Sequence, residues 1–224
     1  LRDLSAASDY CYVHTKVDNS LDTLYAPKEN LTMSEYRGDL RFGALYSNVV
    51  SSPDRCGRVS NEYQTIDKFN SDGVNLYRAN MVYLRYAEAL NRAGYPQSAF
   101  AVLKYGLYPD MVAKHVDSLE QVSAGVRIDF DVNQFTAENT QGVHSRGCGN
   151  AECDTLYRLP MPAPGEAATR QDTINYQIPL LQDMIINEMA LEGAFEGYRY
   201  YDLMRIALRR NKNEYLADPI SMRN

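Results

Sequence analysis

The sequence predicts a mainly α-helical protein, with a tetratricopeptide-like αα-hairpin scaffold, long irregular loops and a C-terminal helical pair. Apolar residues recur at helical spacing over residues 79–106 and again over residues 178–211. The residues between them, 107–177, are rich in Gly, Pro and Asn and have weak periodicity, which favours loops. We therefore expect one domain over residues 1–224, assembled from these three parts.

The composition is that of a globular domain. The chain has 224 residues, 45% hydrophobic and 23% charged, which excludes collagen, coiled-coil rods and wholesale disorder. The net charge of −6 gives no electrostatic reason to bind nucleic acid, so we expect no such partner. Tyr is abundant, with 18 copies and no Trp, which suits either ordinary core packing or half-exposed surfaces that bind polar ligands.

The first strong helical pattern begins at Ala79, after a short strand predicted at Asn61–Phe69. Gly94 is expected to end the first helix, Pro96 to begin a second, and Gly106 to close that one. The apolar face of the first helix is predicted to carry Val82, Tyr86, Ala89 and Ala93, widened by Met81, Leu84 and Leu90. A single hairpin cannot bury its own faces, so we expect it to be part of a larger array.

The C-terminal pattern is predicted to begin at Pro179, a residue suited to a first helical turn. Gly193 and Gly197 are costly inside a helix and indicate close helix packing or a break near Gly197. Six charged residues at spacings of three and four predict a structural ion-pair network: Glu188, Glu192, Glu196, Arg199, Asp202 and Arg205. The spacing pairs Glu196 with Arg199 and Asp202 with Arg205.

The spacing of the cysteines permits one local disulfide. Cys148 and Cys153 are separated by four residues in a glycine-containing loop, which permits a disulfide in an oxidising compartment. A structural zinc site usually combines two such pairs, and Cys11 and Cys56 do not form a second one. We therefore expect no metal, although His144 could supply a third ligand.

Two segments resemble the SusD/RagB family. Residues 81–106, which begin MVYLRYAEALNRAGY, are similar to a helix pair of that family. Residues 186–210, which begin INEMALEGAFEGYRYYDLMR, are similar to its block E-x-x-x-E-x-A-F-E-G-x-R-x-x-D-L-x-R, although Met189 stands where the family usually has Arg. The stretch GVHSRGCG at 142–149 resembles a segment found in part of the family, and Asp39–Phe42 resembles its Asp-Pro-Arg-Phe element.

The resemblance implies a lipoprotein on the extracellular face of the outer membrane of Bacteroidetes-type bacteria. Its partner would be a SusC-like TonB-dependent transporter, and its ligand a glycan or a peptide captured without catalysis and without a cofactor. Family members are typically much longer, so we expect this chain to be a C-terminal portion whose lipid anchor lies on a preceding part.

Within this interpretation, His144, Arg146 and Tyr157 are candidate ligand contacts, because they lie in the long irregular region. An alternative role for His144 and Arg146 is to pin a glycine-rich turn through backbone carbonyls.

Two other classes remain open: a protein-interaction scaffold, and a glycoside hydrolase that uses the row Glu188, Glu192 and Glu196. Carboxylates on one helix face cannot easily flank a sugar, which disfavours the hydrolase.

Overall fold

The structure, a computed structural model, describes residues 41, 46–49, 63–66, 77–106, 108–128, 142–148 and 157–221. Over these ranges the chain is mainly helical, with eight α-helices, which confirms the predicted class. Two short strands, β1 (Tyr46–Val49) and β2 (Tyr63–Ile66), pair antiparallel, and β2 lies inside the strand predicted from the sequence. No helix in the described ranges is long and apolar enough to cross a lipid bilayer.

The predicted helix pair is present. Helix α1 (Ala79–Arg92) is followed by a short turn and by α2 (Pro96–Phe100), which continues as the π-helical segment Ala101–Tyr105. Gly94 has a φ of 91°, a left-handed conformation that glycine adopts without steric cost, and Pro96 occupies the first turn of α2. The helices pack against each other, but their tetratricopeptide character stays a prediction.

The inward face of α1 differs from the predicted one. Val82 is 50% exposed, whereas Met81, Leu84, Ala87 and Leu90 are buried. This face turns toward α2 and α6 (Arg170–Glu192), and it also buries two polar residues, Glu88 and Asn91. The prediction placed Val82 on the buried face because it considered apolar residues alone. The true buried face also contains Glu88 and Asn91, so the apolar residues by themselves indicate a face rotated away from it.

The prediction of irregular structure over residues 107–177 is wrong in part. This stretch contains α3 (Pro109–His115), α4 (Ser118–Ile128), α5 (Val143–Cys148) and the first turns of α6. The helices α3, α4 and α5 are short. Short helices are stabilised mainly by tertiary packing, which the sequence pattern alone did not indicate. Cys11, Cys56, Cys153 and the side chain of Cys148 lie outside the described residues, and the disulfide therefore stays a prediction.

Helix α6 begins nine residues before the predicted start at Pro179. A capping box fixes its first turn: the Asp172 amide donates to the Thr169 hydroxyl oxygen at 3.1 Å, and the Thr169 amide donates to Asp172 Oδ2 at 2.9 Å. Pro179 lies inside the helix, and in the same turn Asn91 Nδ2 of α1 donates to the Ile178 carbonyl oxygen at 2.9 Å.

The predicted break near Gly197 is confirmed. Helix α6 ends at Glu192, and Gly193 is its C-cap residue. Gly197, with a φ of 79°, immediately precedes α7 (Tyr198–Arg210), which is followed by α8 (Glu214–Ser221). The break allows α7 to pack against α6 and α8, around a small apolar cluster of Ile186, Leu203 and Ile206.

The main core lies where α1, α2, the π-helical segment and α6 meet. Its largest buried apolar residues are Leu84, Leu90, Leu103, Tyr157, Leu181 and Ile185. Helix α5 packs on the π-helical segment, and α4 packs on α2. Helices α1 and α6 thus carry the two motif segments into one interface, where most of the buried charges are found.

Candidate functional site

The N-terminal end of the α1–α6 interface holds one arginine between two carboxylates. Arg78 directly precedes α1, and its Nη1 lies 2.5 Å from Glu192 Oε1. Its Nη2 lies 2.6 Å from Glu196 Oε1 and 2.7 Å from the Glu192 carbonyl oxygen. Asn80 also donates to Glu192 Oε1, at 3.0 Å. The guanidinium thereby joins the start of α1 to the end of α6 and to the turn that follows it.

The centre of the interface is a second charge cluster around Glu88. Arg205 donates to Glu88 Oε1 at 2.6 Å and to Oε2 at 2.9 Å, and Arg92 donates to the same carboxylate. Gln182 on α6 donates to it at 3.1 Å. Asp202 accepts from Arg85 at 2.5 Å and from Arg205 at 3.2 Å. Side chains of α1, α6 and α7 therefore share one hydrogen-bonded charge layer.

A third cluster surrounds Glu188, which is fully buried. Glu188 Oε1 lies 2.7 Å from Arg41 Nη1, and Oε2 lies 3.0 Å from His144 Nδ1. The ring of His144 stacks on that of Tyr157, with centroids 3.6 Å apart and an interplanar angle of 7°. Lys104 of the π-helical segment donates to the Tyr157 carbonyl oxygen at 2.7 Å. This cluster attaches α5 and the Tyr157 segment to α6.

The arginines hold the interface carboxylates ionised. Burial alone would raise the pKa of Glu188, but the charges of Arg41 and His144 more than offset it and lower the pKa to about 2. Glu88 and Glu192 show the same balance: burial opposes ionisation, and the arginines beside them lower each pKa below its ordinary value. These three groups are therefore anionic at neutral pH and are matched to fixed cations.

The structure brings the six residues of the predicted network to this interface, but with different partners in part. Asp202 and Arg205 pair as predicted. Glu196 lies in the turn after α6, not on the helix, and it pairs with Arg78, while Arg199 donates to the Ile186 carbonyl oxygen at 2.8 Å. The break after Glu192 changes the direction of the chain, so spacings of three and four do not carry across it.

Two of the three candidate ligand contacts are buried. His144 and Tyr157 are each 1% exposed, which argues against direct contact with a ligand. Arg146 is exposed, and its Nη1 donates to the Asn80 side-chain oxygen at 2.8 Å. His144 and Arg146 thus bond to side chains of other helices, Glu188 and Asn80, and the alternative role of pinning a glycine-rich turn stays a prediction.

Sequence reasoning missed the partners that complete the network. Arg41, Arg78, Glu88, Arg85 and Arg92 all belong to it. A signal existed for some of them, since Arg85, Glu88 and Arg92 are polar residues of the first motif at spacings of three and four on α1. For Arg78 there was none, because its role depends on the tertiary approach of α6.

An open groove lies beside this interface, on the exposed side of α6. It encloses about 270 Å³, close to the lower end of the roughly 300–1,000 Å³ typical of small-ligand sites. We call it the α6 groove. Its lining comes from Arg158, Pro160 and the buried edge of Tyr157 in one segment, and from Leu180, Asp183, Met184 and Asn187 of α6. This lining mixes polar and apolar side chains, which suits a small polar ligand.

No group of three or more His, Cys, Asp or Glu in the described ranges is arranged to hold a metal ion. Comparison of the chain with family models, with curated proteins and with solved structures gives no match. The resemblance of the two motif segments to the SusD/RagB family therefore stays a prediction, and function is argued below from the site and the motifs.

Proposed function

We propose that this protein captures a glycan or oligosaccharide nutrient at the outer surface of a Bacteroidetes-type bacterium, without catalysis, and passes it to a SusC-like TonB-dependent transporter. It would be a SusD/RagB-type lipoprotein on the extracellular face of the outer membrane. A peptide ligand is the nearest alternative within the same function.

The observation that carries this proposal is the contact between the two motif segments. Glu88 of the first motif is bound by Arg205 of the second, and Glu192 of the second is bound by Arg78, next to the first. Segments that lie about a hundred residues apart in sequence therefore form one unit, in which their charged residues complement each other. Such mutual dependence is expected if both motifs belong to one family scaffold.

The electrostatics favour binding over hydrolysis. A glycosidase needs one carboxylic acid whose pKa is raised enough to protonate the leaving group. The candidate row offers the reverse, because arginines lower the pKa of Glu188 and Glu192, and Glu188 is buried. Glu196 is bound by Arg78. These carboxylates are better suited to hold helices together than to transfer protons.

The α6 groove is the surface that we assign to the ligand. Its polar residues, Arg158, Asp183 and Asn187, offer donors and acceptors to hydroxyl groups. Leu180 and Met184 offer apolar surface to the C–H face of a sugar ring. The rigid α6, held by the charge clusters on its other side, supplies a fixed platform for this contact.

The binding test is a glycan and peptide array probed with the purified protein. Leu180→Lys would place a long charged side chain over the groove and should abolish the signal of the bound sugar. Leu119→Lys is the matched control, since Leu119 is also exposed but lies on α4, away from the groove. Binding by neither wild type nor control would refute capture, and equal binding by both variants would refute the groove as its site.

The partner test separates transport from a general interaction scaffold. The tagged protein, expressed in a Bacteroidetes-type bacterium, should co-purify with a TonB-dependent barrel that mass spectrometry identifies. Glycan binding with no barrel would leave capture standing and remove the transporter. A barrel without any glycan or peptide binding would favour the scaffold.

A further inference from the structure

A second cavity, of about 170 Å³, lies where α1, α6 and the end of α7 meet. Its α6 residues, Ile178, Pro179 and Gln182, lie about half a helical turn away from those of the α6 groove. Ile206 and three arginines, Arg92, Arg209 and Arg210, complete its lining. We call this cavity the arginine pocket.

The charges around the arginine pocket do not balance. Arg210 is paired with Asp183 at 2.9 Å. Arg92 is paired with Glu88, but Glu88 also pairs with Arg205, so one negative charge is shared between two arginines. Arg209 is exposed and makes no ion pair within the described part of the chain. The pocket therefore has an excess of positive charge, in a chain whose net charge is −6.

The pKa of Arg92 reflects this excess of positive charge. Burial lowers its pKa, and the nearby charges of Arg209, Arg205 and Arg85 lower it further, against the opposing effect of Glu88. A bound anion would relieve this repulsion, because it would bring a negative charge close to these arginines. The pocket thus combines a cavity, unbalanced cations and an apolar wall.

We propose that the arginine pocket binds the oxyanion of an acidic sugar, a carboxylate or a sulfate ester. Guanidinium groups present paired N–H donors in a plane, which matches the geometry of such oxyanions. Ile178 and Pro179 would contact the C–H face of the sugar ring. The saccharide part of this inference rests on the proposed function, and it assigns acidic sugars to a site separate from the α6 groove.

The experiment is an NMR titration of the arginine Nε–H resonances of the whole chain with four probes at constant ionic strength. Glucuronate and glucose 6-sulfate carry the oxyanion, glucose lacks it, and tri-glutamate presents carboxylates on a peptide. We expect the two acidic sugars to bind at least about tenfold more tightly than glucose. Arg209→Gln should remove this preference, and because Arg209 is exposed and unpaired in the described ranges, the variant should fold.

Lys114→Gln is the control, since it removes one exposed charge on α3 and gives the same net charge as Arg209→Gln. It should leave the preference unchanged. Equal affinity for glucose and the acidic sugars overturns the proposal, as does an acid preference that survives Arg209→Gln. Tighter, Arg209-dependent binding of tri-glutamate overturns the saccharide assignment. If the array shows binding of neutral glycans alone, the proposed function stands and the arginine pocket is refuted as a binding site. If acidic sugars bind but no transporter co-purifies, the arginine pocket stands and the transport part of the proposed function is refuted.

Discussion

Arg205 binds Glu88 through both of its terminal nitrogens, at 2.6 Å and 2.9 Å, across the interface between α7 and α1. This bidentate pair links the two motif segments directly, as the Arg85–Asp202 pair also does. Glu88 is buried, whereas Arg205 is about one-third exposed, so the pair lies at the boundary of the core. Because of this pair, the stability of the α1–α2 hairpin depends on α7.

The first prediction concerns this carboxylate. Glu88→Gln should lower the free energy of unfolding by about 3 kcal/mol, because three arginines lose their shared counter-charge in a partly buried site. Urea unfolding followed by circular dichroism measures the change. Glu214→Gln, at an exposed position on α8, should change it by less than about 0.5 kcal/mol. Equal losses in the two variants would contradict a role for the network.

Much of this arrangement follows from the sequence, and the part that does not has a physical cause. The helix over residues 79–92, the turn at Gly94 and the break at Gly197 are local properties, and the structure confirms them. The start of α6 was missed because residues 170–178 are mostly exposed, and their helical state depends on the Thr169 capping box more than on an apolar stripe.

The candidate site shows the same division. The charge spacing within α7 predicts the Asp202–Arg205 pair correctly, since both residues lie on one helix. It fails for Glu196, whose partner Arg78 is more than a hundred residues away. It fails for His144 too, because nothing local indicates that a histidine in a glycine-rich stretch enters the core beside Glu188.

The second prediction concerns pH. Because the folded protein holds the pKa of Glu188 at about 2, below the ordinary 4.5, its ionised form stabilises the fold at pH values above 4.5. This contribution should fall as the pH drops from about 4.5 to about 2, where the folded carboxylate also binds a proton. The urea midpoint, measured at several pH values, should decrease over this window. Glu188→Gln should show a shallower decrease, and an identical slope would contradict the assignment.

The third prediction concerns Gly142, in the glycine-rich stretch before α5. A Cβ at this position would collide with the Lys104 carbonyl and would lie 2.8 Å from the Leu103 carbonyl oxygen. Gly142→Ala should therefore destabilise the protein by about 3 kcal/mol, since neither backbone group can move aside easily. Gly165→Ala is the comparison: its φ is positive but its surroundings are open, so about 1 kcal/mol is expected. Thermal unfolding of both variants tests this order, and the reverse order would disprove the close approach.

The fourth prediction distinguishes two residues of one ion pair. Asp117 accepts two hydrogen bonds from Arg170, at 2.6 Å and 2.9 Å, and its pKa is lowered to about 2, first by Arg170. Both side chains are more than one-third exposed, so solvent and salt screen the pair. Arg170→Ala should therefore change the free energy of unfolding by less than about 1 kcal/mol, and this effect should shrink as salt is added.

Asp117 has a further role that Arg170 does not share. Its Oδ1 accepts from the Glu120 amide at 2.8 Å and caps the start of α4, and its own amide donates to Gln97 at 2.8 Å. Asp117→Ala should thus cost about 1 kcal/mol more than Arg170→Ala, and this difference should persist in high salt because a cap to a backbone amide acts at contact distance. Urea unfolding of both variants at low and high salt provides the measurement. If the two variants lose equal stability at high salt, the cap at α4 contributes nothing beyond the ion pair.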